Sequence, residues 1–574
     1  MFEKLHWIEK RLFDVLAVGL VVFYSYSAVL EPAATQFHRG VYVLVTYVLV
    51  LLLYRSKSRF GRLIDYVLMV AAVVCIGYWM ANFEDINYRA GLETTLDKGI
   101  AVVGVLLGVE LARRVVGNIF VVIGGVMLLY GVYGDYAPEL ISHAGDTFPD
   151  LCTSIFYKSD GVFGIMANVL ATYILLFVIF GAFLEKSGAQ RFFIDFPLAA
   201  VGHKVGGPGK VSVIASGLFG SISGSAIANT VSTGSFTIPM MKKAGFKPHV
   251  AGGIEPAASI GGMFMPPIMG AGGFIMAELT GVPYSDIMLI ALFPAFMYFF
   301  SVFMMVHYEA KKDGIVGEKS AQSATEILKR EWFYILPLVV ITILMLMGYS
   351  PGYSAILGVV ACIAVSWVRK ETRMGPKQLL EASRAGAENS LKIGATVGVI
   401  GIIIGVLTYS GLVLTFADIV IELADGRLFL TILLIALASL VLGMGVPVTA
   451  AYLITAVVAV PALTHLGVNE IAAHMIVYWL SQDSNITPPV CIAAYAGATI
   501  AKANMWKTAF TAFKFAKFLY LAPFLFGYVP AFSLDGSTTD IVVAFVLIFF
   551  GTWAYSWLLS GIWLQWFKNK APAA

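Results

Sequence analysis

Apolar residues fall into runs of roughly 17–25 positions separated by short charged clusters, the spacing a helix needs to cross the hydrocarbon of a bilayer. These runs predict fourteen crossings, at about 13–30, 41–54, 65–82, 99–113, 118–134, 161–184, 249–280, 286–306, 333–348, 352–368, 391–414, 470–500, 508–528 and 540–562. Two further apolar stretches, about 211–241 and 427–463, are broken in the middle. The breaks read Gly220-Ser221-Ile222-Ser223-Gly224-Ser225 and Gly443-Met444-Gly445-Val446-Pro447. A glycine-rich break at that depth predicts a re-entrant helical hairpin, with one long kinked span as the competing reading. The expected fold class is an all-α polytopic membrane protein of fourteen crossings plus two re-entrant helical hairpins.

Charge chooses between these readings. With a cytoplasmic N-terminus and both hairpins returning to their own side, 33 of the 38 Lys and Arg lie in cytoplasmic segments; Arg39, Arg89, Lys98, Lys158 and Arg427 remain outside. A through-span at either hairpin swaps the side of every later loop, so the positive-inside rule favours the hairpins and places both termini in the cytoplasm. The outer loops are acidic, with Glu84, Asp85, Glu93 and Asp97 in one and Asp135, Glu139, Asp146, Asp150 and Asp160 in another. Solvation explains such loops, as does a docking face for a soluble partner. Met1 to Leu12 is charged and amphipathic and reads as an interfacial helix before an uncleaved first span.

Composition agrees: of 574 residues 59% are hydrophobic and 13% charged, too few charges to cover a water-facing surface of this size. Cys75, Cys152, Cys362 and Cys491 lie far apart and read as apolar filler, fitting neither a disulfide framework nor a metal site. Gly206-Gly207-Pro208-Gly209-Lys210 is followed by Val211 and lacks the Walker spacing, which argues against transport powered by a nucleotide site here. No nucleic-acid partner and no cofactor beyond a coupling ion is expected.

At an offset of 222 the chain superposes on itself. Pro239 falls on Pro461, Gly245 on Gly467, Ile254 on Ile476, Ser259 on Ser481, and Pro266-Pro267 on Pro488-Pro489. Each copy holds five crossings and one hairpin, and an odd number inverts the second copy. Inverted repeats with a broken helix in each half are the architecture of secondary transporters, whose site lies between the copies near the midplane. The expected organisation is a four-span scaffold domain at 1–114, a further span and outer loop at 115–160, a first repeat at 161–330 and a second at 331–574.

The breaks free backbone groups that lipid cannot satisfy, whereas ions and polar solutes can. Asp483 stands inside an apolar span where a charge costs about 2.5–3.5 kcal/mol, among Gln482, Ser484, Asn485 and Thr487. Such an oxygen set suits a hard cation such as Na+; capping of the re-started half-helix and a protonatable carrier carboxyl are the alternatives. In the first copy Gly261-Gly262-Met263 replaces Asp483-Ser484-Asn485, so a cation there relies on carbonyls and on Ser221, Ser223, Asn229, Ser259 and the backbone of Gly261. Glu255 and Glu278 read as proton groups or as interfacial carboxylates, and His474 as interfacial. No Arg or Lys lies in either tip. An organic acid would therefore be held by half-helix N-termini and by hydroxyls such as Ser225, Thr230 and Thr449, beside Gly224, Pro266, Pro447 and Pro488; a polar neutral solute fits nearly as well.

The run Gly-Ser-Ile-Ser-Gly-Ser-Ala-Ile-Ala-Asn-Thr from Gly220, then Glu255-Pro256-Ala257-Ala258-Ser259-Ile260-Gly261-Gly262 and Met265-Pro266-Pro267, resembles the large membrane subunit of tripartite ATP-independent periplasmic (TRAP) transporters. The likeness is nearest to the TAXI-type branch, with small and large subunits fused. It covers the whole chain, by motif from 160 to 505 and by layout in the first four spans. The resemblance implies ion-driven uptake of carboxylate-bearing solutes across the inner membrane of a bacterium or archaeon, with a separate periplasmic binding protein. It also implies an elevator whose moving core is 200–285 and 425–505. Its cation sites would fall on the Ser221–Asn229 tip with Ser259–Gly262, and on the tip from Gly443 through Gly445 to Thr449 with Asp483–Thr487. Coupling to Na+ or to H+ both stay open. A channel or an intramembrane enzyme is the rival class, but no convergent nucleophile and base stand within the spans.

Overall fold

The computed structural model describes residues 2–444 and 446–564, and among them every regular element is helical apart from one isolated bridge, Val205 to Val316. The chain opens with α1 (Trp7–Val29), α2 (Thr35–Leu53), α3 (Arg59–Ala81), the short α4 (Phe83–Tyr88), α5 (Thr95–Val115), α6 (Asn118–Val132), α7 (Phe148–Tyr157), and α8 (Ile165–Val169) joined to α9 (Leu175–Lys186) by a π-helical turn. It continues through α10 (Ala189–Val201), α11 (Gly207–Ser223), α12 (Ala226–Lys243), α13 (Pro248–Gly261), α14 (Gly272–Thr280), α15 (Tyr284–Asp313), α16 (Ala324–Glu331) and α17 (Leu336–Leu346). Then follow α18 (Pro351–Ser366), α19 (Pro376–Gly394), α20 (Val397–Ser410), α21 (Leu412–Leu423), α22 (Leu428–Leu442) and α23 (Val448–His465). The last are α24 (Glu470–Leu480), α25 (Ile492–Ala501), α26 (Met505–Phe515), α27 (Phe518–Tyr528) and α28 (Thr538–Ser560). Among the described residues nine helical segments are long and apolar enough to cross a membrane, and four shorter apolar helices accompany them.

The helices form two compact units. The first comprises Met1–Lys186, Met347–Asp425 and Gly445–Ala462; the second comprises Ser187–Leu346, Gly426–Met444 and Leu463–Ala574. In the first unit small residues set the packing distance. A Cβ on Gly108 of α5 would lie 2.9 Å from Gly398 Cα of α20. Charges near helix ends are tied off in pairs: Arg384 of α19 holds Asp14 of α1 through two bonds of 2.7 and 2.8 Å, and Arg114 of α5 reaches Asp65 of α3 at 2.6 Å. Paired in this way the charges escape the penalty of an isolated ion in an apolar setting.

Several expected boundaries move. The start is not a separate interfacial helix, because α1 begins at Trp7 and runs unbroken into the span. The acidic segment after α6 is only partly loop: α7 lies within it and buries Leu151, Cys152, Ile155 and Phe156. Ala189–Val201 and Pro376–Gly394, read as loops from their charge, are helices with one buried face.

The element bounds repeat at the offset of 222: Ala226–Lys243 returns as Val448–His465, and Pro248 opens α13 where Glu470 opens α24. Backbone conformation repeats too. Pro266-Pro267 and Pro488-Pro489 are both cis; Met269 and Cys491 both take positive φ (55° and 33°), as do Gly245 and Gly467 (105° and 86°). Tyr298 and Tyr520, also 222 apart, each bond within their own copy, Tyr298 to the Ala257 carbonyl of α13 and Tyr520 to the Thr487 hydroxyl after the 3₁₀ turn.

Candidate functional site

Both broken helices and the first hairpin lie in the second unit. The hairpin turns at Gly224, whose φ of 62° favours glycine, and Ser225 caps α12 by accepting from the Ala228 N–H at 3.3 Å. The tip packs on the break between α13 and α14 without side chains intervening: a Cβ on Gly262 would lie 2.4 Å from Gly220 Cα. Asn229 crosses this junction, its Nδ2 donating to the carbonyls of Ser216 at 3.0 Å and Ser259 at 3.4 Å, while its buried Oδ1 has no partner.

Tyrosine hydroxyls bond carbonyls in and just before the first break. Tyr478 Oη donates to the carbonyls of Met263 and Met269 (2.6 Å each), Tyr284 Oη to those of Pro267 at 2.9 Å and Ile268 at 2.7 Å, and Tyr298 Oη to that of Ala257 at 2.6 Å. The hydroxyls are committed as well. Ser221 Oγ donates to the Leu218 carbonyl of its own helix at 3.0 Å, Thr230 to the Ala226 carbonyl at 2.8 Å, and Ser259 lies 3.5 Å from the carboxylate of Glu255. The Gly261 carbonyl accepts the Phe264 N–H at 3.1 Å, and a Cβ on Gly261 would meet the Tyr298 and Phe299 rings at 2.7 Å. The Ser223 side chain lies outside the described residues. Ser221 and Pro266 also line a cavity of about 440 Å³ whose walls are otherwise apolar, with Phe296, Phe299, Phe300 and Phe303 prominent. Those walls do not suit a carboxylate.

The second copy is built differently. Asp483, Ser484 and Asn485 form one 3₁₀ turn between α24 and α25, all buried, with Asp483 4% exposed. Asp483 Oδ1 has no hydrogen-bond partner, and both ends of the neighbouring Gln482 amide lack one also. Asn485 turns its Nδ2 to the Gln482 carbonyl at 3.3 Å. Gly443, at the end of α22, comes so close that a Cβ would lie 2.5 Å from Ser484 Oγ. Thr487 is drawn away to Tyr520 Oη at 2.7 Å, and Pro488 follows it half-buried. Thus Gly443, Asp483, Ser484 and Asn485 come together. Pro447 and Thr449 belong to the first unit, where the Thr449 hydroxyl is buried without a partner, and Gly445 lies outside the described residues.

Sequence reasoning misplaced two groups. His474 is not interfacial but buried in α24, 5% exposed. Glu255 is not at a surface: its side chain is fully buried in α13, in hydrogen-bond contact with Ser212 and Ser216 of α11 and Thr233 and Thr237 of α12. The signal for it was available: serines four apart on α11 and threonines four apart on α12 mark one polar stripe on each of two neighbouring helices.

Comparison with known proteins places this architecture. Residues 103–532 match the family described as tripartite ATP-independent periplasmic transporter, DctM component. A C4-dicarboxylate TRAP transporter large permease protein of Pseudomonas aeruginosa is 24% identical over 401 residues, 67% of this chain and 91% of that protein. The 2,3-diketo-L-gulonate TRAP transporter large permease protein of Escherichia coli is 26% identical over 168 residues, 29% of this chain and 39% of that one. The sialic acid TRAP transporter permease protein of Haemophilus influenzae is 27% identical over 199 residues, 34% of this chain and 32% of that one. Among solved structures, the YdaH transporter of Alcanivorax borkumensis aligns with a TM-score of 0.47 at 15% identity, over 78% of this chain and 98% of that one. The matched segment spans both hairpins and both breaks, and the chain belongs to the DctM family of TRAP transporter large permeases: it is a multi-pass membrane transporter, not an enzyme.

Proposed function

We propose that the chain is an ion-gradient-driven importer of organic acids in a bacterial or archaeal inner membrane. It would receive its solute from a periplasmic substrate-binding protein of the TAXI type. The observation that carries the reading is Asp483. A buried carboxylate oxygen without a partner costs several kcal/mol unless a cation or proton completes it. Its neighbours are the neutral oxygens of Ser484, Asn485 and Gln482 and the backbone at Gly443, a set matched to Na+. The substrate class rests on the relatives' names: C4-dicarboxylate, 2,3-diketo-L-gulonate and sialic acid are all carboxylate-bearing. The N-terminus of α12, where Ser225 caps the helix, offers donors for such an anion.

In this reading α1, α2, α3 and α5 are the four spans of a fused small subunit, and the inverted repeat, five crossings and one re-entrant hairpin per copy, supplies the other ten of the fourteen crossings. Both termini are cytoplasmic, and the acidic loops after α3 and α6 dock the binding protein. Elevator movement rests on the family resemblance; the division of the chain keeps the first hairpin with both breaks but groups most of α23, expected in the moving core, with the first four spans and α18–α20. Uptake of dicarboxylates and other organic acids into proteoliposomes, with and without the binding protein, under sodium or pH gradients, tests the reading. Uptake indifferent to both gradients sinks secondary transport, and sodium dependence unchanged in Asp483→Asn sinks the cation site.

A further inference from the structure

The cage around Glu255 has a property that a structural tether does not need. Its two carboxylate oxygens meet four close hydroxyls, two apiece: Ser216, at 2.5 Å, and Thr233 on Oε1, Ser212 and Thr237 on Oε2, with Ser259 Oγ farther off at 3.5 Å from Oε1. Four donors saturate an ionised carboxylate. Each hydroxyl, however, owns one hydrogen, and three of the four have a second acceptor within reach, Ser216 Oγ lying 3.1 Å from Thr233 Oγ1. Thr233 Oγ1 is 2.8 Å from the Asn229 carbonyl, and Thr237 Oγ1 is 3.1 Å from the Thr233 carbonyl. When either threonine turns its hydrogen to its own helix, it presents a lone pair to Glu255, and only a protonated carboxyl can bond to that. The same six oxygens therefore satisfy both the charged and the neutral side chain by rotation of hydroxyls, with no orphaned group in either state.

The spacing does not suit a metal ion. Ligands at right angles about an ion with bonds of about 2.4 Å stand about 3.4 Å apart, whereas these hydroxyls sit at hydrogen-bond distance from the carboxylate. Nor does a fixed cation hold the charge. On the helices packed against α13, Lys210 rests on His307 at 3.1 Å, Lys242 on the Ala501 carbonyl at 2.8 Å, Lys514 on Glu309 at 3.5 Å and Lys517 on the Ser301 carbonyl at 3.3 Å. Lys243, Lys502 and Lys507 are exposed, and among the described residues none pairs with Glu255. A glutamine would bridge α11, α12 and α13 equally well, so a tether alone gives no reason for an acid.

We propose that Glu255 and its ring of four hydroxyls form a proton-binding site at the base of the first hairpin, separate from Asp483, whose occupancy couples transport to the proton gradient. A proton from water on one side adds to a Glu255 oxygen, Thr233 or Thr237 swings to its backbone acceptor, and on the other side the proton returns to water as the hydroxyl swings back. The proposal rests on the secondary-transport reading given above.

Infrared difference spectra of the full chain in lipid, between about pH 5 and about pH 9, test it. The expected result is a carboxylic-acid C=O band that grows as pH falls, persists in Asp483→Asn and is lost in Glu255→Gln. The paired variant Thr233→Val with Thr237→Val keeps the acid and the shape, and shifts the band to higher frequency as its hydrogen bonds disappear. A band retained in Glu255→Gln, unmoved in the valine pair, absent from the parent chain, or abolished by sodium at constant pH overturns the proposal. In proteoliposomes Glu255→Gln loses the acceleration of uptake by a pH gradient; acceleration that survives counts against the proposal as well. A Glu255 band without uptake of any organic acid defeats the transport reading alone, whereas sodium-driven uptake without the band defeats the Glu255 site alone.

Discussion

The crossing of α13 and α25 gives a sharp test of the packing that holds the two breaks together. A Cβ added at Gly497 would lie 2.2 Å from the Gly252 carbonyl oxygen and 2.7 Å from Pro256 Cγ, where ordinary contacts begin near 3.4 Å. Neither neighbour is the end of a flexible side chain, so Gly497→Ala must push the helices apart by about 1 Å. Overpacking of this kind costs about 1–3 kcal/mol, and alanine's better helix propensity returns about 0.5–1, leaving a net loss of about 1–2 kcal/mol. The reciprocal Gly252→Ala meets Ala501 Cβ at 2.9 Å and the Gly497 carbonyl at 3.0 Å, and costs less. Gly125 of α6 has nothing within 4 Å of its built Cβ, so Gly125→Ala is neutral or stabilising. The assay is the unfolding midpoint in mixed micelles as denaturing detergent is titrated, read by far-ultraviolet circular dichroism. If Gly497→Ala matches the parent chain, or Gly252→Ala proves the more harmful, the close approach of these helices is wrong.

Three further outcomes follow from other contacts. Tyr478→Phe removes the one hydroxyl hydrogen that the carbonyls of Met263 and Met269 share, at about 1–3 kcal/mol, and the same detergent titration reads the loss. Arg384→Met strands the Asp14 carboxylate and destabilises the chain, and the double variant with Asp14→Leu recovers most of the loss; a cycle showing no coupling refutes the pair. Lys98 holds the Asp150 carboxyl below its ordinary range through a 2.5 Å contact, with Thr147 assisting. A lowered folded value means that this stability is present above the ordinary Asp range near 3.9 and is lost as pH falls through the folded value. Both side chains are over a third exposed, so the effect is about 0.2–1 kcal/mol, and Asp150→Asn removes the acid sensitivity of the tie in a pH series of melts.

What the sequence made legible was whatever depends on one chain segment at a time. Runs of apolar residues marked the long helices because a bilayer imposes a length, and the breaks at Gly224 and Gly443 were visible because glycine marks places where a helix stops. The helices α7, α10 and α19 were missed for a converse reason. They carry charge, and a charged helix with one buried face reads as loop when span length is the criterion. Asp483 stood out because no charge surrounds it in sequence. Glu255, an equally buried acid, reads from sequence as either a proton group or an interfacial carboxylate, because its partners lie 18 to 43 residues away on two other helices and folding brings their polar stripes to it.

The two copies show how one backbone plan carries two chemistries. Each keeps its cis proline pair, its positive-φ residue after the break and its tyrosine reaching inward, so the break itself is a shared structural device. What differs is who satisfies the freed groups. In the first copy Tyr478 and Tyr284 cap the open carbonyls and glycines replace the acid, so polar chemistry retreats about two turns down α13 to Glu255 and its hydroxyls. In the second copy the acid stays in the break itself, with Asp483 Oδ1 and the Gln482 amide still unpartnered. A buried group already satisfied by rotating hydroxyls gains little from a metal ion, whereas a carboxylate oxygen lacking a donor gains a great deal. The inequality of the copies therefore predicts unequal ions. Asp483→Asn removes the dependence of uptake on sodium and leaves its dependence on pH, and Glu255→Gln does the reverse. The two variants assayed side by side under crossed sodium and pH gradients check this, and a single variant that abolished both dependences while preserving solute exchange would refute the division.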